Sequence, residues 1–128
     1  MQSTMKKILL SCLAVALGYT SVKAQVPVTV SGEITTNTTW TKNNIYLLNG
    51  FVYVEDGATL TIEAGTLIKG DKATKGTLIV TKTGTIQAAG TECEPIVFTS
   101  NEPAGTRNYG DWGGIIILGE APINVAGG

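Results

Sequence analysis

Histidine is absent from this chain of 128 residues, and cysteine occurs only twice. Without histidine these residues cannot assemble a Ser/His/Asp or Cys/His catalytic centre, and most types of zinc site are excluded as well. Any catalysis within this segment would depend on carboxylates, lysine or arginine. The sequence therefore predicts no catalytic residue, no metal site and no cofactor.

Charged residues are also scarce, at 15% of the sequence, and the formal net charge is −1. Proteins that bind nucleic acid usually cluster lysine and arginine, and their aromatic residues alternate with basic ones. No such stripe is present here. We therefore expect neither nucleic acid nor an anionic membrane surface as a partner.

The first 24 residues have the three parts of an export signal. Lys6 and Lys7 form a basic start, residues 8–19 are apolar, and small residues precede a cleavage point between Ala24 and Gln25. The apolar run is shorter than the roughly 20 residues that span a bilayer. We predict a helical signal peptide over residues 1–24, export of the mature chain, and no transmembrane segment in it. Cleavage leaves Cys93 as the single cysteine of the mature chain, and whether it pairs with a cysteine outside this sequence stays open.

Short runs rich in Val, Ile and Thr fill the mature chain, and their apolar residues recur at an interval of 18 residues. The three series are Leu60, Leu78 and Ile96; Ile62, Val80, Phe98 and Ile116; and Ile68 and Ile86. Such a repeat is typical of a solenoid, in which equivalent side chains of successive turns point into the core and stack on each other. No stretch keeps an apolar stripe at helical spacing. We predict an all-β fold, a parallel β-helix of about three to four rungs.

The boundaries of this β-helix are predicted from the composition of the flanking segments. Residues 25–44 are rich in Thr and Asn and are expected to form an N-terminal cap and entry strand, with Trp40 covering the first rung. Residues 45–128 are assigned to the rungs, and the apolar run 115–118 is expected to be a strand buried on both faces. Because no polar cap follows it, we expect this sequence to be the N-terminal part of a longer protein.

Four segments together resemble a known family. They are GATLTIEAGT (57–66), EPIVFTS (94–100), GDWGGI (110–115) and APIN (121–124). They are similar to the start of large secreted or surface proteins of Bacteroidetes-type bacteria that have a pectin-lyase-like, right-handed parallel β-helix. The resemblance implies a right-handed coil and a mature chain that is secreted or associated with the outer membrane or cell surface of a Gram-negative bacterium. Many members also carry a C-terminal sorting domain that this sequence lacks. The resemblance implies no assigned activity.

One group of residues has the chemistry of a ligand site. Arg107, Tyr109, Asp111 and Trp112 lie close together in the sequence. Pectate-lyase-like enzymes of this fold characteristically use Asp-bound calcium with an Arg or Lys base, and an indole can stack on a sugar ring. The alternative is structural: Asp111 would hydrogen-bond its own loop, Trp112 would pack over a rung, and Arg107 would be solvated. The structural interpretation is favoured.

These observations lead to two hypotheses about function. The preferred one is an exported, non-catalytic β-helix module with a structural or adhesive role at the cell surface, binding extracellular polysaccharide or other surface proteins. The alternative is the N-terminal part of a polysaccharide lyase or hydrolase whose active residues lie downstream. The fold is predicted more directly than the function, because a solenoid scaffold carries many activities.

Overall fold

The computed structural model describes residues 23–121. Almost all of the predicted signal peptide lies outside these residues, and so do residues 122–128. Within the described part every regular element is a β-strand, which confirms the all-β prediction. The strands are β1 (Val26–Ile34), β2 (Thr38–Trp40), β3 (Asn44–Val54), β4 (Thr59–Ile62), β5 (Leu67–Gly70), β6 (Thr77–Val80), β7 (Thr85–Ala88), β8 (Val97–Ser100) and β9 (Gly114–Ile117).

All seven strand pairings among residues 23–121 are parallel and join one turn of a coil to the next. The first side of the coil contains the starts of β1 and β3 followed by β5 and β8, and the second side contains the ends of β1 and β3 followed by β6 and β9. The third side is the sheet β2-β4-β7. The fold is therefore a parallel β-helix, as predicted, with three three-sided turns and a fourth turn whose first two sides are described.

Alternation of side chains explains why these short runs form strands with one buried face. In β4, Leu60 and Ile62 are buried while the two threonines between and before them are half-buried, and β5 alternates in the same way. In β6, Leu78 and Val80 are buried and Ile79 is half-buried, but Thr77 is buried as well. β-branched and aliphatic residues suit a pleated surface with one face against a core. The buried core comprises Trp40, Tyr46, Leu48, Val52, Val54, Ala58, Leu60, Ile62, Ile68, Leu78 and Val80.

Asn49 and Gly50 mark a corner rather than a hairpin. Strand β3 continues through them, changing from the first side to the second, and Gly50 has a φ of 73°. Such a positive φ is readily adopted only by glycine. An Asn-Gly dipeptide is compatible with a two-residue hairpin as well, but the parallel pairing on each side of Gly50 shows that it forms a corner here.

The prediction that residues 18 apart stack on each other is wrong. Leu78 lies beside Val52 rather than Leu60, and Leu60 lies beside Ile86 on a different sheet. The interval between paired residues grows along the chain, from 18 for Val28 and Tyr46 to 37 for Leu78 and Ile115.

The wrong register has a simple geometric cause. The 18 residues from Leu60 to Leu78 cover two of the three sides of a turn, so both side chains point into the coil from different sides. Leu60 and Leu78 are both fully buried, so the inward orientation inferred from the sequence is correct although the neighbours are not. The interval of 18 does not follow the turns: it covers two sides from Leu60 to Leu78 but only one from Phe98 to Ile116, where the long 101–113 corner intervenes.

Strand β9 also differs from expectation. Ile116 was placed in an inward series with Val80, but it pairs with Ile79 on the outer face, and Ile117 lies beside Val80. The run 115–118 is not buried on both faces, since Ile117 is 64% exposed and the other three residues are exposed as well. The reason is that β9 pairs with β6 on one edge and with no second strand among residues 23–121.

The N-terminal residues belong to the paired strands of the coil. β1 runs beside β3, and β2 runs beside β4, so residues 26–40 follow the same three sides as the turn that comes after them. Trp40 is buried and its ring stacks on Tyr46, with the ring centroids 4.7 Å apart. The division of the chain at residues 24 and 44 stays a prediction.

Candidate functional site

The candidate residues lie in one long corner loop, residues 101–113, between β8 and β9. The corner between the first and second sides enlarges from turn to turn. It is residues 49–50 within β3, residues 71–76 between β5 and β6, and then residues 101–113. The last loop therefore lies directly above the 71–76 corner and has the most chain available to form a binding surface.

Asp111 anchors this loop instead of facing a ligand. Its side chain is buried, and Oδ2 accepts hydrogen bonds from the backbone N–H of Asn108 at 2.9 Å and from Ser100 Oγ at 3.0 Å. Nζ of Lys72 lies 3.4 Å from Oδ1. The Asn108 hydrogen bond, aided by Ser100 and Lys72 against the cost of burial, lowers the pKa of Asp111 below its ordinary value. This confirms that the carboxylate bonds its own loop.

Trp112 packs over the preceding turn, as the structural interpretation expected. Its side chain lies against Gly70 of β5, where a Cβ atom would come within 2.7 Å of Trp112 Cγ. The indole is half-buried and contacts the edge of the core. Only glycine at position 70 leaves room for this contact, because a methyl group would overlap the ring.

Arg107 and Tyr109 are the exposed members of the group. Arg107 Nε donates a hydrogen bond of 2.9 Å to the backbone oxygen of Glu102, which fixes the guanidinium against the loop. Tyr109 is 94% exposed, and its backbone N–H donates to Asn108 Oδ1 at 2.9 Å. A fixed cation and an accessible ring are thus presented to solvent by a loop that is anchored from below.

An open depression of about 380 Å³ lies beside these residues. Its lining comprises Phe98, Thr99, Ser100, Arg107, Asn108, Tyr109 and Trp112. Three of the four predicted residues, Arg107, Tyr109 and Trp112, are therefore brought together. Asp111 is not among the lining residues.

Sequence reasoning missed the contribution of β8. Phe98, Thr99 and Ser100 line the depression because β8 leads directly into the loop. The EPIVFTS segment was recognised as part of a repeat, but its last residues were assigned only to the scaffold. Their position immediately before a loop rich in polar and aromatic residues is the signal that would have found them.

Calcium, which the fold family implies, does not fit the residues of this loop. The carboxylates of Glu102 and Asp111 are both paired with the ammonium group of Lys72. Its Nζ atom lies 3.8 Å from Glu102 Oε2 and 3.4 Å from Asp111 Oδ1. Calcium is bound by six to eight oxygen ligands. Residues 23–121 contain no group of three or more carboxylate, cysteine or histidine side chains arranged to hold a metal ion.

The parallel coil and the corner loop define a protein of the β-helix class. The family model described as a pectate-lyase-like beta helix domain matches residues 32–128. Since that match covers most of the chain, the protein belongs to this family. Comparison with curated proteins and with solved structures found no match. In the part of the chain that the structure describes, no helix has the length and apolar character needed to cross a membrane.

Proposed function

We propose that this protein is an exported, non-catalytic β-helix module with a structural or adhesive role at the cell surface, and that its 101–113 loop contacts extracellular glycans. The observation that carries the proposal is the composition of the depression beside that loop. Arg107 supplies a cation, while Tyr109 and Trp112 supply aromatic surface. Such a set suits a sugar that carries a carboxylate.

The scaffold supports a binding role because it holds side chains of the depression in place before a ligand arrives, which lowers the entropy cost of binding. Arg107 is hydrogen-bonded to Glu102, and Trp112 lies against Gly70. A side chain already held in place loses less conformational freedom when a ligand arrives. This loop is therefore better suited to recognition than a freely moving arm of the same composition.

The burial of Asp111, the one aspartate of the loop, favours binding over turnover. The carboxylate of Asp111 is occupied by Ser100, Asn108 and Lys72. A general acid or base must reach the proton that it transfers. Asp111 is buried beneath the loop, so it does not meet this requirement.

Export to the cell surface and membership in a Bacteroidetes surface-protein family are part of the same proposal. They are supported by the signal-like residues 1–24 and by the resemblance of the GDWGGI and EPIVFTS segments. N-terminal sequencing of the protein secreted by a Gram-negative host tests the first point. A mature chain beginning at Gln25 is expected, and retention of residues 1–24 would contradict it.

Glycan binding is tested by calorimetry with a uronic-acid oligosaccharide and a neutral oligosaccharide of the same length. We expect the uronic-acid oligomer to bind more tightly, Arg107→Ala to abolish that preference, and Tyr109→Ala to weaken binding of both. Lys82→Ala is the matched control, because Lys82 is an exposed cation at a different corner. Equal binding of Arg107→Ala and the parent protein would contradict the proposal.

A polysaccharide lyase or hydrolase is the alternative, favoured by the match to a pectate-lyase-like domain. In that case the active residues lie outside this sequence. The same oligosaccharides are then incubated with the full-length protein and analysed for shortened or unsaturated products. Binding without product supports the adhesive module, and product formation supports the enzyme.

A further inference from the structure

We infer that Lys72 is the positioning residue of the ligand-contacting loop, supplying from the preceding turn the positive charge that orders residues 101–113 without a divalent cation. The inference rests on the proposed function only in describing that loop as the one that contacts ligand. Lys72 itself is not among the residues that line the depression. Its influence on the site therefore passes through the loop.

The geometry of the two ion pairs carries the inference. Nζ of Lys72 lies 3.4 Å from Asp111 Oδ1 and 3.8 Å from Glu102 Oε2. These two carboxylates stand near opposite ends of the loop, one residue after its start and two residues before its end. A single ammonium group thus joins both ends of the loop to the corner beneath it.

Burial makes this charge more important to Asp111 than to Glu102. The side chain of Asp111 is 3% exposed, whereas that of Glu102 is 33% exposed. A buried carboxylate needs hydrogen bonds or an opposite charge in place of the water it has lost. Ser100 and Asn108 satisfy Oδ2, and Lys72 is the group that faces Oδ1.

The corner that carries Lys72 is itself fixed. Asp71 Oδ2 accepts hydrogen bonds from both the N–H and the hydroxyl of Thr74, each at 2.9 Å. The Thr74 hydroxyl in turn accepts a bond of 2.9 Å from the N–H of Gly50 in the turn below. These bonds connect the 71–76 corner to the 49–50 corner below it, so Lys72 stands on a supported base.

A second lysine of the same corner reinforces the contact. Lys75 Nζ donates a hydrogen bond to the backbone oxygen of Gly110, next to Asp111. Trp112 adds a packing contact on Gly70 at the start of the corner. The 71–76 corner thus forms a platform that holds the last part of the loop by charge, hydrogen bond and packing.

Hydrogen exchange followed by mass spectrometry tests the inference on the mature chain without any glycan, so its outcome does not depend on the proposed ligand. In Lys72→Met we expect amides of residues 101–113 to exchange several-fold faster, above all that of Asn108, which donates to Asp111. Lys72→Arg keeps the charge and is expected to exchange at a rate near that of the parent protein. Lys82→Met is the matched control, since residues 23–121 show no ion pair for Lys82.

Three results would overturn the inference. They are unchanged exchange of the loop in Lys72→Met, exchange in Lys72→Arg as fast as in Lys72→Met, and a loop of the parent protein that becomes more protected when calcium chloride replaces EDTA. Protection of β3 and β6 serves as the internal reference, because a general loss of stability would raise exchange there as well. The expected result is a change confined to residues 101–113.

Discussion

Leu78→Ala removes a fully buried side chain from the middle of the second side of the coil. Leu78 stands between Val52 of the turn before and Ile115 of the turn after, and it has no exposed surface. The three carbons lost are worth about 2.4 kcal/mol at roughly 0.8 kcal/mol per buried methylene. A residual cavity adds to this, so the expected loss of unfolding free energy is about 3 kcal/mol, within the usual 2–5.

Ile115→Ala is the matched comparison, because Ile115 occupies the next position of the same column but is 39% exposed. Less apolar surface leaves the core, and solvent fills the space, so we expect a loss of about 1 kcal/mol. Urea unfolding of the mature chain, followed by circular dichroism, measures both variants. Equal losses would refute the reasoning, because the fully buried Leu78 would then contribute no more to stability than the partly exposed Ile115.

Two further predictions concern the loop and its anchor. Gly70→Ala places a methyl group 2.7 Å from Trp112 Cγ, so we expect a destabilisation of about 1–3 kcal/mol in urea unfolding. We also expect a shift in Trp112 fluorescence, measured in a Trp40→Phe background. An unchanged spectrum would contradict this contact. Hydrogen bonds lower the pKa of both Asp71 and Asp111 below the ordinary value of 3.8. The two carboxylates therefore contribute fully to stability above pH 3.8, and this contribution is lost as the pH falls through their lowered folded-state pKa values. Thermal unfolding from pH 6 downward measures this loss, and we expect a smaller pH dependence in Asp111→Asn, whereas an identical dependence would contradict the assignment.

The strands could be predicted from the sequence because alternation marks them locally. Leu60, Ile62, Leu78 and Val80 were all correctly recognised as inward residues, since burial of one face depends only on neighbours along the strand. Their partners across turns could not be found in this way. Pairing depends on the length of each corner, and a corner such as 101–113 changes the interval without altering the pattern inside the strands.

The candidate site was likewise predictable only where it depends on residues close together in the sequence. The composition of the segment was enough to identify Arg107, Tyr109 and Trp112 as residues with binding chemistry. The anchoring of Asp111 depends on Lys72, which is distant in sequence and approaches only because one turn lies on the next. No pattern within the loop itself indicates that partner.

The account depends most on which residues of successive turns are neighbours, and disulfide trapping measures this directly. In a Cys93→Ser background, Tyr53→Cys with Ile79→Cys places two cysteines at directly paired outer positions of β3 and β6. Neighbouring strands are about 4.8 Å apart, within reach of a disulfide. Thr61→Cys with Ile79→Cys tests the rejected 18-residue register, and those two positions belong to different sheets. We predict efficient crosslinking of the first pair under mild oxidation and none of the second, whereas crosslinking of the second pair alone would contradict the three-sided coil.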